Sequence, residues 1–198
     1  MRTVAILLFD DVEVLDFTGP FEVFSVTGRR DGSNPFDVFT VSQDGNAVVA
    51  RNNLIVTPKH SFADCPRADI LVIPGGYGTR REMLNEKVLD FVRDRAQRAE
   101  ILLSICTGAL ILGRAGLLDG IRATTHHGAV EELRLAAPNA HVQAHERVID
   151  NGKTVVAAGV SSGIDASFHV VARLLGREVA AETARYIEYP LREYPLTA

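Results

Sequence analysis

The sequence predicts an α/β fold, a mostly parallel sheet with helices on both faces and an antiparallel hairpin added to it. Three observations carry this. Short β-type runs alternate with longer helical ones along the chain, the pattern of parallel strands joined by crossover helices. Two of the short runs, VAILLF (4–9) and ILLSI (101–105), are almost wholly apolar, as strands covered on both sides must be. Finally, Asn151-Gly152 lies between two β-type runs, the strongest short-range hairpin signal.

Taken in order, VAILLF opens the sheet. After the acidic DDVEVLD, Gly19-Pro20 marks a turn or helix start, and FEVFSVTG follows as a helix with Phe21 and Phe24 on one face. FDVFTVS (36–42) alternates and reads as the second strand; AVVA and LIVTP are weaker extended pieces that form an antiparallel excursion. ADILVIPGG (68–76) is the next strand, and its Pro-Gly-Gly end lets the backbone come close to a neighbour. NEKVLDFVRDRAQRA sets Val88, Leu89 and Val92 on one face of a surface helix. ILLSI is a central strand, with GALILGRAGLL as its helix and Gly116 or Gly120 near the stop. IRATTH is another strand, and AVEELRLAAP a helix closed before Pro138. HVQAHERVIDNGKTVVAAG forms the closing hairpin, and SSGIDASFHVVARLLG and REVAAETARYIEY are the last helices. No linker, repeat or low-complexity stretch interrupts this order, and residues 1–198 are expected to form one domain.

Composition excludes several classes. The apolar share of 46% and charged share of 23% are those of a chain that folds by burial. A net charge of −4 with scattered Lys and Arg offers no footprint for a phosphate backbone, so no nucleic-acid partner is expected. MRTVAILLFDDVEVLD has a single Arg and too short an apolar run for a signal peptide, and no run approaches the ~20 residues of a membrane helix. The expected location is cytoplasmic, with no membrane partner. The two cysteines, Cys65 and Cys106, form no CxxC. His141 and His145, four apart on an extended run, are too far separated to share an ion, and His126 and His127 would point to opposite faces of a strand. No metal site is expected.

The chemistry concentrates at Cys106. A strand running straight into a helix lifts its corner side chain to the C-terminal edge of the sheet, where open α/β folds bind ligands. A thiol there, at a helix N-terminus, is expected to ionise below roughly 8.5 and act as a nucleophile. The alternative is a small buried hydrophobe, a common fate of free cysteine. Thr107 can donate a hydrogen bond, Gly108 lets the first helical turn approach a ligand, and Gly75 and Gly76 offer N–H donors toward charge on the substrate. Asp16, after the first strand, comes to the same edge. It is either an acid/base partner whose pKa rises beside the sulfur or a helix cap ahead of Gly19-Pro20. His126 and His127 are candidates to line the pocket or cap the helix near Gly128. Asp165 reads as a helix cap, Cys65 as incidental, and Phe17, Tyr77 and Phe168 as wall candidates.

LDFTGPFEVF, ADILVIPGG, SICTGALILGRAGLLDGIRATTHH and GVSSGIDASFHVVARLLG together resemble the ThiJ/PfpI superfamily. The similarity runs from about residue 3 to residue 188, and its CTG, ATTH and GID blocks are those of the branch containing isonitrile hydratases and the amidotransferase-like sensor domains of AraC-type regulators. This resemblance implies a flavodoxin-like three-layer sandwich, a homodimer and no metal or organic cofactor. It carries Cys106 over as nucleophile, Asp16 as acid/base and Thr107 as a supporting residue, for hydration of isonitriles to N-substituted formamides. The chain departs from the peptidase branch, where His follows the nucleophile in place of Thr107, from the stress-protective branch, where Glu stands for Asp16, and from glutamine amidotransferases, whose His-x-Glu pair is absent. Ligand sensing, a redox or carbonyl-stress role, and amide or peptide hydrolysis are the competing functions.

Overall fold

A computed structural model describes residues 1–30, 32–192 and 194. The strands and helices follow in the order β1 (Arg2–Leu7), α1 (Val14–Val26), β2 (Phe36–Ser42), β3 (Val48–Val49), β4 (Ile55–Val56), β5 (His60–Ser61), β6 (Ile70–Ile73), α2 (Thr79–Glu82), α3 (Glu86–Arg98), β7 (Ile101–Ile105), α4 (Gly108–Arg114), β8 (Arg122–Ala123), α5 (Val130–Ala136), β9 (His141–Val142), β10 (Val148–Asp150), β11 (Thr154–Ala157), α6 (Ser162–Leu175) and α7 (Arg177–Tyr186). Seven strands form the central sheet in the order β10-β11-β7-β6-β1-β2-β5. All its pairs are parallel except β10 with β11, the hairpin turned by Asn151-Gly152. Helices α1, α6 and α7 pack on one another, and α2, α3 and α5 gather around α4, so the sheet lies between two helical layers.

The inner strands are fully covered, which is why they carry no polar alternation: Val4, Ala5, Ile6 and Leu7 are all buried, as are Ile70 to Ile73 and Ile101 to Ile105. The excursion after β2 is the antiparallel pair β3 and β4, as its sequence suggests. Among the described residues no helix is long and apolar enough to cross a membrane.

Three local expectations are corrected. The first helix starts at Val14, so Gly19 and Pro20 lie inside it. Gly19 is there because α6 passes close: a Cβ would stand 2.9 Å from Ile164 Cγ1. Phe21 and Phe24 are both in this helix, three apart, with Phe24 in the core and Phe21 38% exposed. IRATTH contributes only the two residues of β8, which pair with β9 in a small separate sheet and not with the central one. HVQAHERVI is likewise broken, extended at β9 and β10 with turns between them.

Candidate active site

Three adjacent strands, β7, β6 and β1, deliver the parts of the site from their C-terminal ends. At the end of β7, Cys106 takes a φ of 55°, a left-handed conformation uncommon for a residue with a side chain. Its neighbours fix it there. The Cys106 N–H is shared between the carbonyls of Ala157 and Ala158 at 3.1 and 2.9 Å, and the Cys106 carbonyl accepts from Thr125 Oγ1 at 2.9 Å. Strain held at one residue by bonds on both sides is a common mark of functional corners.

Asp16 reaches the same corner from the first turn of α1, not from a loop, and its side chain does not cap that helix. Its side chain is fully buried, and Oδ2 accepts a 2.9 Å hydrogen bond from the Gly75 N–H at the end of β6. Oδ1 has no hydrogen-bond partner among the described protein atoms. Gly75 is the spacer between the two groups: a Cβ on it would lie 2.8 Å from Asp16 Oδ2, 2.8 Å from Cys106 Cβ and 2.5 Å from Thr107 N. Only glycine lets β6, α1 and the corner meet so closely.

Burial and the adjacent carboxyl decide the protonation of this pair. Burial raises the Asp16 pKa to about 7, and the charge of Glu13 adds to the rise, while the Gly75 N–H and the thiol pull against it. The Cys106 thiol is pushed up to about 12, by burial first and by the Asp16 charge next, against the pull of the Val160 and Thr107 N–H groups. The expected low-pKa thiolate is therefore corrected. Cys106 is 5% exposed, α4 is a short helix, and a carboxyl lies behind the sulfur, so desolvation and like charge outweigh the helix dipole. At neutral pH the resting pair is a thiol beside a carboxyl poised between its two forms. Such a pair can pass the sulfur's proton to the carboxyl and on to a third atom.

The other glycines serve the architecture. The N–H of Gly75 is taken by Asp16, and that of Gly76 by Thr107 Oγ1 at 3.0 Å, so neither is aimed at a ligand as expected. The Thr107 hydroxyl in turn donates to the Gly76 carbonyl at 3.0 Å, tying the α4 start to the β6 end. Gly108 also faces inward: its Cβ would be 2.1 Å from the Ile73 carbonyl oxygen, so it permits strand contact and not ligand contact.

Cys106 opens into a cleft of about 300 Å³ whose walls include Glu13, Arg51, Tyr77, Arg80, His126 and Val160. Tyr77, a predicted wall residue, is on it; Phe17 and Phe168 are buried in the core away from it. His126 lines the cleft and also caps the following turn, its Nδ1 accepting from Gly128 N at 3.1 Å. Burial lowers its pKa, and His127 and Arg80 add to the effect. His127 is exposed and lines an adjoining cleft of about 330 Å³. The two rings are 4.2 Å apart on one turn and do not point to opposite faces. Asp165 lies in the first turn of α6, where it accepts from Arg147 Nε at 2.5 Å and Tyr189 OH at 2.9 Å, so it serves a buried polar cluster and not a substrate. Cys65 is buried elsewhere as a free thiol. Among the described residues no three His, Cys, Asp or Glu side chains gather as a metal-holding group.

Val160 is a neighbour of the sulfur that the sequence reading does not single out. Its N–H faces the Cys106 sulfur, and its own φ of 44° is strained for a β-branched residue. Arg51 and Arg80 also go unread, because they reach the cleft through loop and short-helix geometry.

Comparison with known proteins agrees with this architecture. The model of the DJ-1/PfpI family matches residues 2–173. An isonitrile hydratase from Pseudomonas putida is 35% identical over 187 residues, spanning 94% of this chain and 78% of that protein. The HTH-type transcriptional regulator GbdR of Pseudomonas aeruginosa is 27% identical over 188 residues, 95% of this chain but 51% of the regulator. This chain thus spans about half the length of that relative. The crystal structure of a ThiJ/PfpI family protein from Pseudomonas syringae superposes with a TM-score of 0.86 at 30% identity, covering 100% of this chain and 78% of that one.

Proposed function

The chain belongs to the DJ-1/PfpI family, and from that premise we propose that it hydrates isonitriles, converting R–N≡C and water into an N-substituted formamide. The observation that carries this reading is the buried Cys106–Asp16 pair at the base of an open cleft. An isonitrile accepts a nucleophile and a proton at one and the same carbon. A thiol whose proton is shared with a carboxyl of pKa about 7 is suited to deliver both.

In the proposed sequence Asp16 takes the thiol proton as the Cys106 sulfur bonds to the terminal carbon, and then gives that proton to the carbon. The product is a thioimidate, R–N=CH–S–Cys106. The N–H groups of Val160 and Thr107, which already pull the thiol toward its anionic form, stabilise charge on sulfur during attack. A water then adds to the thioimidate carbon, its proton passing through Asp16 to nitrogen. Collapse of the resulting R–NH–CH(OH)–S–Cys106 breaks the C–S bond, releases R–NH–CHO and returns the proton to sulfur. No redox change occurs, and atoms balance as isonitrile plus water. Thr107 positions the corner through its two bonds to Gly76.

The test is incubation with an aryl isonitrile and mass spectrometry for the formamide, beside a Cys106→Ser control. Formamide formed only by the native protein supports the proposal; none at any enzyme concentration overturns it. A second reading, a ligand-sensing domain, draws on the alignment of GbdR over 95% of this chain. Tight retention of a small molecule without turnover would favour it.

A further inference from the structure

The cleft beside Cys106 has a wall that the proposed chemistry does not use. Tyr77, 71% exposed, has two guanidinium groups near its ring: Arg51 lies 5.8 Å and Arg80 5.5 Å from the centroid. The two cations differ in one respect. Arg80 is neutralised, its Nε and Nη2 both 2.8 Å from the carboxylate of Glu132, and it also donates to the Gly76 carbonyl at 3.3 Å. Arg51 has no carboxylate partner among the described residues.

The loop that presents Arg51 is held at several points. The Arg51 N–H is bound by the Val12 carbonyl at 2.9 Å, the loop base is closed by Ala50 N to Leu54 O at 2.8 Å, and Asn52 and Asn53 both turn through positive φ, at 60° and 64°. Asparagine tolerates that region better than most residues, so the sequence supplies the turn that keeps Arg51 over Tyr77. Glu13, the carboxylate on the cleft wall, acts on Asp16 and does not pair with Arg51. The cleft therefore has a thiol at one place, an aromatic ring on its rim, and over that ring a guanidinium with no carboxylate partner among the described residues.

We infer that this cleft selects small molecules that carry a carboxylate, held by Arg51 against Tyr77 while the reacting group lies at Cys106. A planar guanidinium suits a carboxylate through paired N–H bonds, and the cation–π approach to Tyr77 favours a place for the Arg51 cation over the ring. For the hydratase reading, on which the identity of the reacting group rests, the substrate class becomes isonitriles of carboxylic acids in preference to neutral ones.

The binding preference can be measured without any hydratase activity. Iodoacetate and iodoacetamide form the same kind of S–C bond at Cys106, each losing iodide and the thiol proton, but only iodoacetate carries a carboxylate. Modification of Cys106 is followed by peptide mass spectrometry, so that Cys65 does not interfere. The expected result is that the iodoacetate-to-iodoacetamide rate ratio of the native protein exceeds that of Arg51→Gln by about fivefold, that Arg51→Lys is intermediate, and that high salt removes the difference. Equal ratios in the native protein and both variants overturn the inference. A parallel comparison of a carboxylated isonitrile with its methyl ester reads the same preference in kcat/KM. If neither isonitrile is hydrated yet the alkylation ratio depends on Arg51, the hydratase reading falls and the carboxylate site stands. If both are hydrated with a ratio unmoved by Arg51→Gln, the site falls and the hydratase reading stands.

Discussion

Replacing Asp16 by Asn separates the stability of the fold from the chemistry of the site. In the native state burial holds the Asp16 carboxyl near pKa 7, against an ordinary value of 3.8. Between these values the folded protein binds a proton that the unfolded chain does not, so stability falls as pH rises through this window and the full penalty is reached above pH 7. The shift corresponds to about 4 kcal/mol at high pH, and about 2.5 kcal/mol of it should accrue between about pH 5 and about pH 8.5. The side-chain amide that replaces the carboxyl could keep the bond from the Gly75 N–H through its oxygen and would carry no charge. Asp16→Asn should therefore be more stable than the native protein at about pH 8.5, and the gap should shrink toward pH 5, while turnover is lost. Urea melts of both proteins at several pH values give the difference, in which the other titrating groups largely cancel. Parallel stability curves would refute the argument that a buried charge at this corner is what the fold tolerates for its chemistry.

Other outcomes follow from the same geometry. Because the Asp16 charge holds the thiol pKa up, Asp16→Asn should move the pH–rate curve for iodoacetamide modification of Cys106 to lower pH; an unshifted curve would contradict the coupling. Gly75→Ala should lower stability by about 1–3 kcal/mol and abolish turnover, since the new methyl collides with Thr107 N and separates Asp16 from Cys106; an unchanged melting temperature would show that the three elements are not so tightly seated. Val160→Gly relieves a strained φ worth about 1–2 kcal/mol but adds the backbone entropy of glycine, about 0.5–1 kcal/mol. Its stability should stay within about 1 kcal/mol of the native value while turnover falls, and a loss above about 2 kcal/mol would place Val160 among the packing residues instead.

Much of this design is legible in the sequence, and the rest is hidden for definite reasons. Uninterrupted apolar runs reveal β1 and β7, Asn151-Gly152 reveals the hairpin, and the change of period at Cys106 reveals the corner, because each depends on residues adjacent in the chain. The start of α1 is concealed because Glu13, its flanking residue, makes no side-chain cap, and Gly19-Pro20 mimics a boundary while serving contact with α6. The direction of the thiol shift is concealed because it depends on burial and on Asp16, which the sheet brings in from ninety residues away. Gly75 and Gly76 look like free donors until Asp16 and Thr107 are seen to claim them. Arg51 carries no motif, and Val160 lies in the GVSSGID stretch without a side chain that suggests chemistry; each stands where it does through a backbone conformation, its own or that of the loop it begins.

The proton-handling pair is set by the end of β7 and the start of α1, whereas the cleft walls come from separate segments, and this separation has a consequence for how the site can change. On the proposed reading, side-chain changes at Arg51 or Tyr77 alter what the cleft admits without touching the bonds from Ala157, Ala158 and Thr125 that hold Cys106. The rim can thus be varied one side chain at a time against an unchanged sulfur and carboxyl.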